Sequence, residues 1–161
     1  MPSFDIVSKA DLQEVDNAIN QAIKEMTGRY DFKGTKSEIK RQDNILILLG
    51  DDDYKLDAVV DILKGKLIRR GVSVKFLEFK KKEKASKGMM RQEIEIKEGV
   101  NKDSSKKIID EIKKVDPKAA IENLKDHLRV SSKSKNGLQS IIADLKSFPL
   151  DVELSYINFR N

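Results

Sequence analysis

Apolar positions along the chain follow two rhythms, and the order of those rhythms repeats. Phe4 and Ile6 alternate with Asp5 and Val7, the period-two pattern of a strand. Leu12, Val15, Ala18, Ile19, Ala22, Ile23 and Met26 then recur at helical spacing on one face. Ser8 or Asp11 is placed to cap this helix, and Gly28 sits where a C-terminal glycine is expected. After a segment RYDFKGT (Arg29–Thr35), a charged alternating stretch holds Ile39, Asp43-Asn44 marks a turn, and Ile45–Leu49 reads as a buried strand. A second helix follows with Leu56, Val59, Val60, Leu63 and Leu67 inward, ending at Gly71. Val72, Val74, Phe76, Leu77 and Phe79 read as another strand, and basic Lys80–Met90 as a solvated linker.

The order then restarts. Ile94 and Ile96 form a strand, and Ile108, Ile109, Ile112 and Val115 a helix face with Pro117 just beyond. Ala119–Leu124 and Leu128–Ser131 read as strands joined at Lys125-Asp126. Leu138, Ile141, Ile142 and Leu145 mark a helix that Phe148-Pro149 ends, and Val152, Leu154 and Tyr156 alternate in a last strand. The order is βαββαβ, twice. It predicts an α+β fold of two ferredoxin-like sandwiches, each an antiparallel sheet with helices on one face. Residues 1–90 are the first half and 91–161 the second.

The repeat can be aligned. A shift of 82 positions places Leu46 on Leu128, Leu48 on Val130, Leu56 on Leu138 and Leu63 on Leu145. The first helices need a shift of 89, as from Ile19 to Ile108. The first half is therefore longer between Met26 and Ile39, where RYDFKGT lies. A bare duplication needs no such segment, which makes it the first functional candidate.

Composition narrows the chemistry. The chain of 161 residues has 32 Lys+Arg and 27 Asp+Glu, a net charge of +5. The excess is spread along the chain and favours anionic partners weakly. There is no cysteine, so disulfides, thiolate metal sites and a cysteine nucleophile are excluded. His127 is the only histidine and reads as structural. No G-x-S-x-G, Walker A or G-x-G-x-x-G motif is present, and no catalytic residue, metal site or cofactor is expected. Asp51-Asp52-Asp53 could hold a cation but reads better as a helix cap. Met1–Val7 lacks the form of a signal peptide and Ile45–Leu49 is too short to cross a membrane, so a cytoplasmic location without membrane partners is expected.

Three segments suit ligands. In RYDFKGT, Arg29 and Lys33 can pair with phosphate while Tyr30 or Phe32 stacks on a base. Strand alternation would put both rings on one side; they would equally well cover the core. Ser132, Lys133 and Ser134 follow a strand and open a helix, where free N–H groups attract anions. Phe159 and Arg160 repeat the pairing of a ring with a guanidinium, in what otherwise reads as a frayed tail. An RNA-recognition domain shares this element order. The candidate inner strands NILILLG and HLRVSS have no aromatic residue for its stacking.

MPSFDIVS, RYDFKG, DILKGKLIRRG, VSSKSKNGLQ and the closing NFRN together resemble the YajQ family of bacterial proteins, from Met1 to Asn161. The resemblance implies two ferredoxin-like domains that exchange N-terminal strands: Phe4–Val7 would complete the second sheet and Gln92–Lys97 the first. It implies a nucleotide-binding protein with no settled catalytic activity. Together with the RYDFKGT segment and the Ser/Lys loop, it leads to the expectation of a non-enzymatic module for ATP, GTP or a cyclic dinucleotide, held between the halves. RNA binding or a protein–protein adaptor role is the alternative. The family supplies no defined binding residues. Where relatives often have glycine before the Lys-Ser pair, this chain has Ser132.

Overall fold

The computed structural model describes residues 1–161. In chain order the elements are β1 (Ser3–Val7), α1 (Leu12–Gly28), β2 (Glu38–Gln42), β3 (Ile45–Gly50), α2 (Asp53–Arg69), β4 (Leu77–Phe79), β5 (Glu83–Lys84) and β6 (Met90–Ile96). Then follow α3 (Lys102–Val115), β7 (Ala120–Asn123), β8 (Leu128–Ser131), α4 (Lys135–Ser147) and β9 (Ser155–Arg160). The chain forms two compact units. Ala10–Lys97 is one, here the N-terminal unit; Met1–Lys9 with Glu98–Asn161 is the other, the C-terminal unit.

Each unit has one antiparallel sheet. In the N-terminal unit the order is β2-β3-β6-β4, with β5 on β6; in the C-terminal unit it is β7-β8-β1-β9. The strands are exchanged. β1 lies between β8 and β9, with Phe4 opposite Val130 and Ile6 opposite Leu128. β6 lies between β3 and β4, with Ile94 opposite Leu46 and Phe79. Neither sequence half has a complete core without the strand that the other contributes.

The cores follow the helical stripes. Val15, Ala18, Ile19, Ala22 and Met26 of α1 and Leu56, Val59, Leu63 and Leu67 of α2 pack on Ile39, Leu46, Leu48, Ile94 and Ile96. Ile108 and Ile112 of α3 and Leu138, Ile141 and Leu145 of α4 pack on Phe4, Ile6, Leu128 and Val130. Three ion pairs fasten α1 to its neighbours: Arg41 of β2 to Asp16 (2.6 and 2.8 Å), Lys66 of α2 to Glu25 (3.0 Å), and Arg70, beyond α2, to Glu14 (2.8 and 3.0 Å).

The caps preserve the repeat where composition does not. Asp52 accepts from the N–H of Lys55 (2.7 Å) to start α2, and Ser134 accepts from that of Gly137 (3.0 Å) to start α4. Asp52 and Ser134 are equivalent positions, as are Lys55 and Gly137. Just before them a strand end meets the first helical turn closely. A Cβ on Gly50 would stand 2.3 Å from the Leu56 backbone nitrogen. The equivalent of Gly50 is Ser132, and there the glycine is Gly137, whose added Cβ would stand 2.3 Å from Ser132 Oγ. Each unit thus has one glycine in this contact, on the strand in one and on the helix in the other.

Of the two residues placed to cap α1, Asp11 does so, accepting from the N–H groups of Gln13 and Glu14 (3.0 and 3.4 Å). Four expectations are corrected. Gly28 lacks the left-handed conformation of a C-terminal glycine; the chain leaves α1 through extended Arg29. Val74–Phe76 is a 3-10 turn, and the strand begins only at Leu77. Lys80–Met90 is not a free linker: β5 pairs with β6, and Lys82 reaches Asp53 and Asp57, both at the start of α2. The last strand begins at Ser155, after Val152 and Leu154 have already packed inward, so it carries the C-terminal residues expected to fray.

Candidate functional site

The segment Arg29–Thr35 is a compact turn rather than a strand. Extended Arg29 ends α1, and Tyr30–Phe32 form one 3-10 turn. The Lys33 N–H donates to the Tyr30 carbonyl and the Thr35 N–H to that of Phe32, both at 3.1 Å. The expected alternation therefore fails: Tyr30 is 90% exposed and Phe32 only 6%. A helical turn rotates neighbouring side chains to different sides, whereas a strand would have aligned them.

The turn is tied to the start of α2. Asp51 accepts from the Lys36 N–H (2.9 and 3.1 Å) and from the Ser37 hydroxyl (2.8 Å). Lys55 donates its ammonium to the Asp31 carbonyl and stands 5.3 Å from the Phe32 ring centroid. Asp51 and Asp52 thus hold protein N–H and O–H groups, and no group of three His, Asp or Glu residues is arranged to hold a metal ion.

Between this turn, the last turns of α1 and strand β2 lies a cleft of about 250 Å³. Ile23, Met26, Phe32 and Ile39 give it apolar walls; Thr27, Thr35 and Ser37 add hydroxyls, and Glu38 and Lys40 stand on β2. The Thr27 hydroxyl donates to the Ile23 carbonyl (2.9 Å) and that of Thr35 to the Phe32 carbonyl (2.8 Å). Their oxygen lone pairs remain as acceptors. The lining is therefore apolar with acceptor groups, which suits a flat ring bearing N–H donors.

The charges nearby are unevenly engaged. Arg29 pairs with both oxygens of Asp31 (3.0 and 2.8 Å), lies 3.6 Å from Glu25 and covers the Phe32 ring at 5.5 Å. The Arg29 hydrogen bonds outweigh burial and hold the Asp31 carboxyl below its usual range. Arg29 is thus already matched by carboxylates, whereas Lys33 is exposed and forms no ion pair.

Ser132, Lys133, Ser134, Phe159 and Arg160 belong to the C-terminal unit. Ser132 is buried; its hydroxyl donates to Asp116 Oδ2 (2.9 Å) and its N–H to the Pro2 carbonyl (3.0 Å). Ser134 is the α4 cap, and Lys133 is exposed without an ion pair. Phe159 and Arg160 point to opposite faces of β9. Phe159 stacks on core Phe4 with centroids 5.7 Å apart, while Arg160 reaches Asp5.

Asp5 is the feature that sequence reasoning missed. It sits mid-strand in β1 between core residues Phe4 and Ile6, so its side chain leaves the sheet on the face away from α3 and α4. It is 2% exposed. Arg160 donates to both its oxygens (3.2 and 3.0 Å), Arg129 Nε to Oδ1 (3.0 Å) and Asn158 Nδ2 to Oδ2 (2.9 Å). Asn158 has φ 56°, within an irregularity of the β1–β9 register, and asparagine tolerates that left-handed conformation. Burial alone pushes the Asp5 carboxyl up, but the hydrogen bonds from Arg160, Asn158 and Arg129 together hold it well below the usual carboxylate range. His127 stands at the margin, with Nδ1 2.6 Å from Asp126 and Nε2 3.9 Å from Asp5. The available signal was a lone carboxylate inside the apolar strand SFDIV, which burial obliges to find a cation.

Residues 2–160 match the family described as "Nucleotide-binding protein YajQ-like". The chain belongs to that family. A "Nucleotide-binding protein" of Syntrophotalea carbinolica is 52% identical over 161 residues, covering all of both chains. YajQ-like relatives with the same name from Geotalea uraniireducens and Trichlorobacter lovleyi are 51% and 50% identical, each over 99% of both chains. These names describe binding and no reaction. No helix of this YajQ-like chain is long and apolar enough to cross a membrane.

Proposed function

We propose that this chain is a nucleotide-binding protein with no catalytic activity of its own, and that the cleft beside Arg29–Thr35 receives the base. The observation that carries this reading is the cleft itself, built by the one segment that the second repeat lacks. Its volume of about 250 Å³ suits a single nucleobase with part of its sugar. Ile23, Met26, Phe32 and Ile39 would contact the ring faces, and Thr27, Thr35 and Glu38 would accept from its N–H edge. Lys33 and Lys40 would meet the phosphate. The names of the YajQ-like relatives support the same ligand class. A cyclic dinucleotide fits if its second base lies outside the cleft, where exposed Tyr30 offers a stacking face.

The test is a calorimetric and thermal-shift panel of ATP, GTP, cyclic mononucleotides and cyclic dinucleotides. A ligand at 100 times its dissociation constant adds about 2.7 kcal/mol of stability. Ile23, 39% exposed at the cleft wall, can be changed without opening the core. Ile23→Glu is expected to weaken the bound nucleotide at least about ten-fold, since a carboxylate there opposes phosphate and interrupts the apolar wall. Unchanged affinity in that variant, or no binding by any member of the panel, would overturn the assignment.

A further inference from the structure

On the side of the C-terminal sheet turned away from α3 and α4, two arginines share one buried carboxylate. Asp5 is the only carboxylate that Arg129 and Arg160 contact. Arg160 alone satisfies both oxygens of Asp5 through its terminal nitrogens, and Asn158 supplies another donor to Oδ2. Arg129 reaches the same carboxylate through Nε only, at 3.0 Å. Its two terminal nitrogens donate no hydrogen bond within the protein. Glu122 faces Arg129 across the β7–β8 ladder but makes no ion pair with it. The Arg129 side chain is 36% exposed and that of Arg160 42%, so both guanidinium groups reach the surface.

Two features turn this arrangement into a site. The first is preorganisation: a guanidinium anchored by Nε to a buried carboxylate loses little freedom when its free edge pairs again. The second is the neighbourhood. Ile157, opposite Asp5 in the β1–β9 register, is 41% exposed and offers an apolar surface beside the charges. Ser131, two residues along β8 from Arg129, adds a hydroxyl on the same face. A paired fork beside such a surface matches a tetrahedral oxyanion better than a single ammonium does.

We infer that Arg129, with Arg160 beside it on Asp5, forms a second binding site that takes a phosphate group, from a free nucleotide or from the backbone of a single-stranded nucleic acid. This site lies in the other unit from the cleft and does not depend on it. Asp5 acts here as a positioning residue: it fixes both forks and leaves one of them with a free edge.

The experiment is amide-shift titration of the full chain, at low salt, with inorganic phosphate, AMP and an eight-nucleotide oligouridylate. Saturable shifts within 127–131 and 155–160 are expected, separate from any within 23–40 that report the cleft. Arg129→Gln should weaken this response at least ten-fold in a protein that keeps its folded spectrum. Arg129→Lys should not restore it, because the charge returns without the fork. Equal responses to phosphate, AMP and the oligomer identify a free phosphate ligand; a response to the oligomer at far lower concentration identifies a nucleic-acid backbone, and salt should then weaken it steeply. Absence of saturable shifts in these segments with all three probes, or an unchanged response in Arg129→Gln, would overturn the site.

Discussion

The two sheets share a topology and differ in what their outer faces carry. In the N-terminal unit, central β3 presents Ile45, Ile47 and Leu49 to that face, all half-buried. The position equivalent to Asp5 is Glu93, which stands opposite Ile47 as Asp5 stands opposite Arg129. Glu93 pairs with Arg91 of its own strand at 3.0 Å and stays 42% exposed; Lys80 joins Glu78 and Glu95 beside it. Replacing Ile47 by arginine at the equivalent position, and adding a terminal arginine on β9, converts a solvated carboxylate into a buried one. The lesson is that a sheet face is set by cross-strand partners and not by the residue alone.

The same contrast runs through the connections after the first helix of each unit. α3 passes to β7 through a short loop in which Asp116 accepts from Ser132. α1 passes to β2 through the Arg29–Thr35 turn, and a cleft results. One unit has gained a cavity, and the other an anchored cluster of charge.

Removing the carboxylate at the two equivalent positions should break this comparison most visibly. Asp5→Asn is expected to cost about 3 kcal/mol, because three hydrogen-bonding partners lose the charge of their shared acceptor and one of its oxygens becomes an NH2 that faces their donors in a buried setting. Glu93→Gln should change the melting temperature by less than about 2 °C, since an exposed pair contributes little. Urea unfolding of both variants measures the difference. The pH dependence has a fixed sign. The folded Asp5 lies below its unfolded value, so its contribution is complete above about pH 5, where unfolded aspartate is fully ionised. It declines as pH falls further towards the folded value. The Asp5→Asn protein should therefore lose stability less steeply below about pH 5 than the parent, and equal slopes would contradict the account.

A smaller effect sharpens the comparison at the strand–helix contact. Gly137→Lys imposes the residue of the N-terminal unit and should cost about 1–3 kcal/mol, because its Cβ meets Ser132 Oγ. Adding Ser132→Gly reproduces the other unit's pairing and should recover part of that loss, despite removing the hydrogen bond to Asp116. A double-mutant cycle on thermal unfolding reads the coupling. If the two changes add without coupling, the glycine exchange between repeats is incidental.

Much of this was legible in the chain. The four amphipathic stripes fixed the helices to within a few residues, since helical spacing of apolar residues is local information. The two alignment shifts located the insertion that builds the cleft. The cleft lining was less legible: Ile23 and Met26 read only as core residues of α1, and Lys40 as part of a charged strand. Their meeting with Phe32 depends on a turn that sequence alternation treated as a strand. The terminal Phe159-Arg160 pair read as a tail because its partners, Phe4 and Asp5, lie at the opposite end of the chain.

What the sequence determined by itself was the element order, its duplication, the inward face of each helix and the position of the extra segment. These rest on spacings of a few residues, where helix and strand periodicities differ. Only the tertiary structure decided that Asp5 is buried under two arginines, that Tyr30 and Phe32 part company, and that Ser132 faces a glycine. Asp5 and Arg160 are 155 residues apart in the chain, yet one register irregularity in β9 brings them to hydrogen-bonding distance. Strand register and exchange are set by the packing of the whole sheet, and no local pattern of residues encodes them.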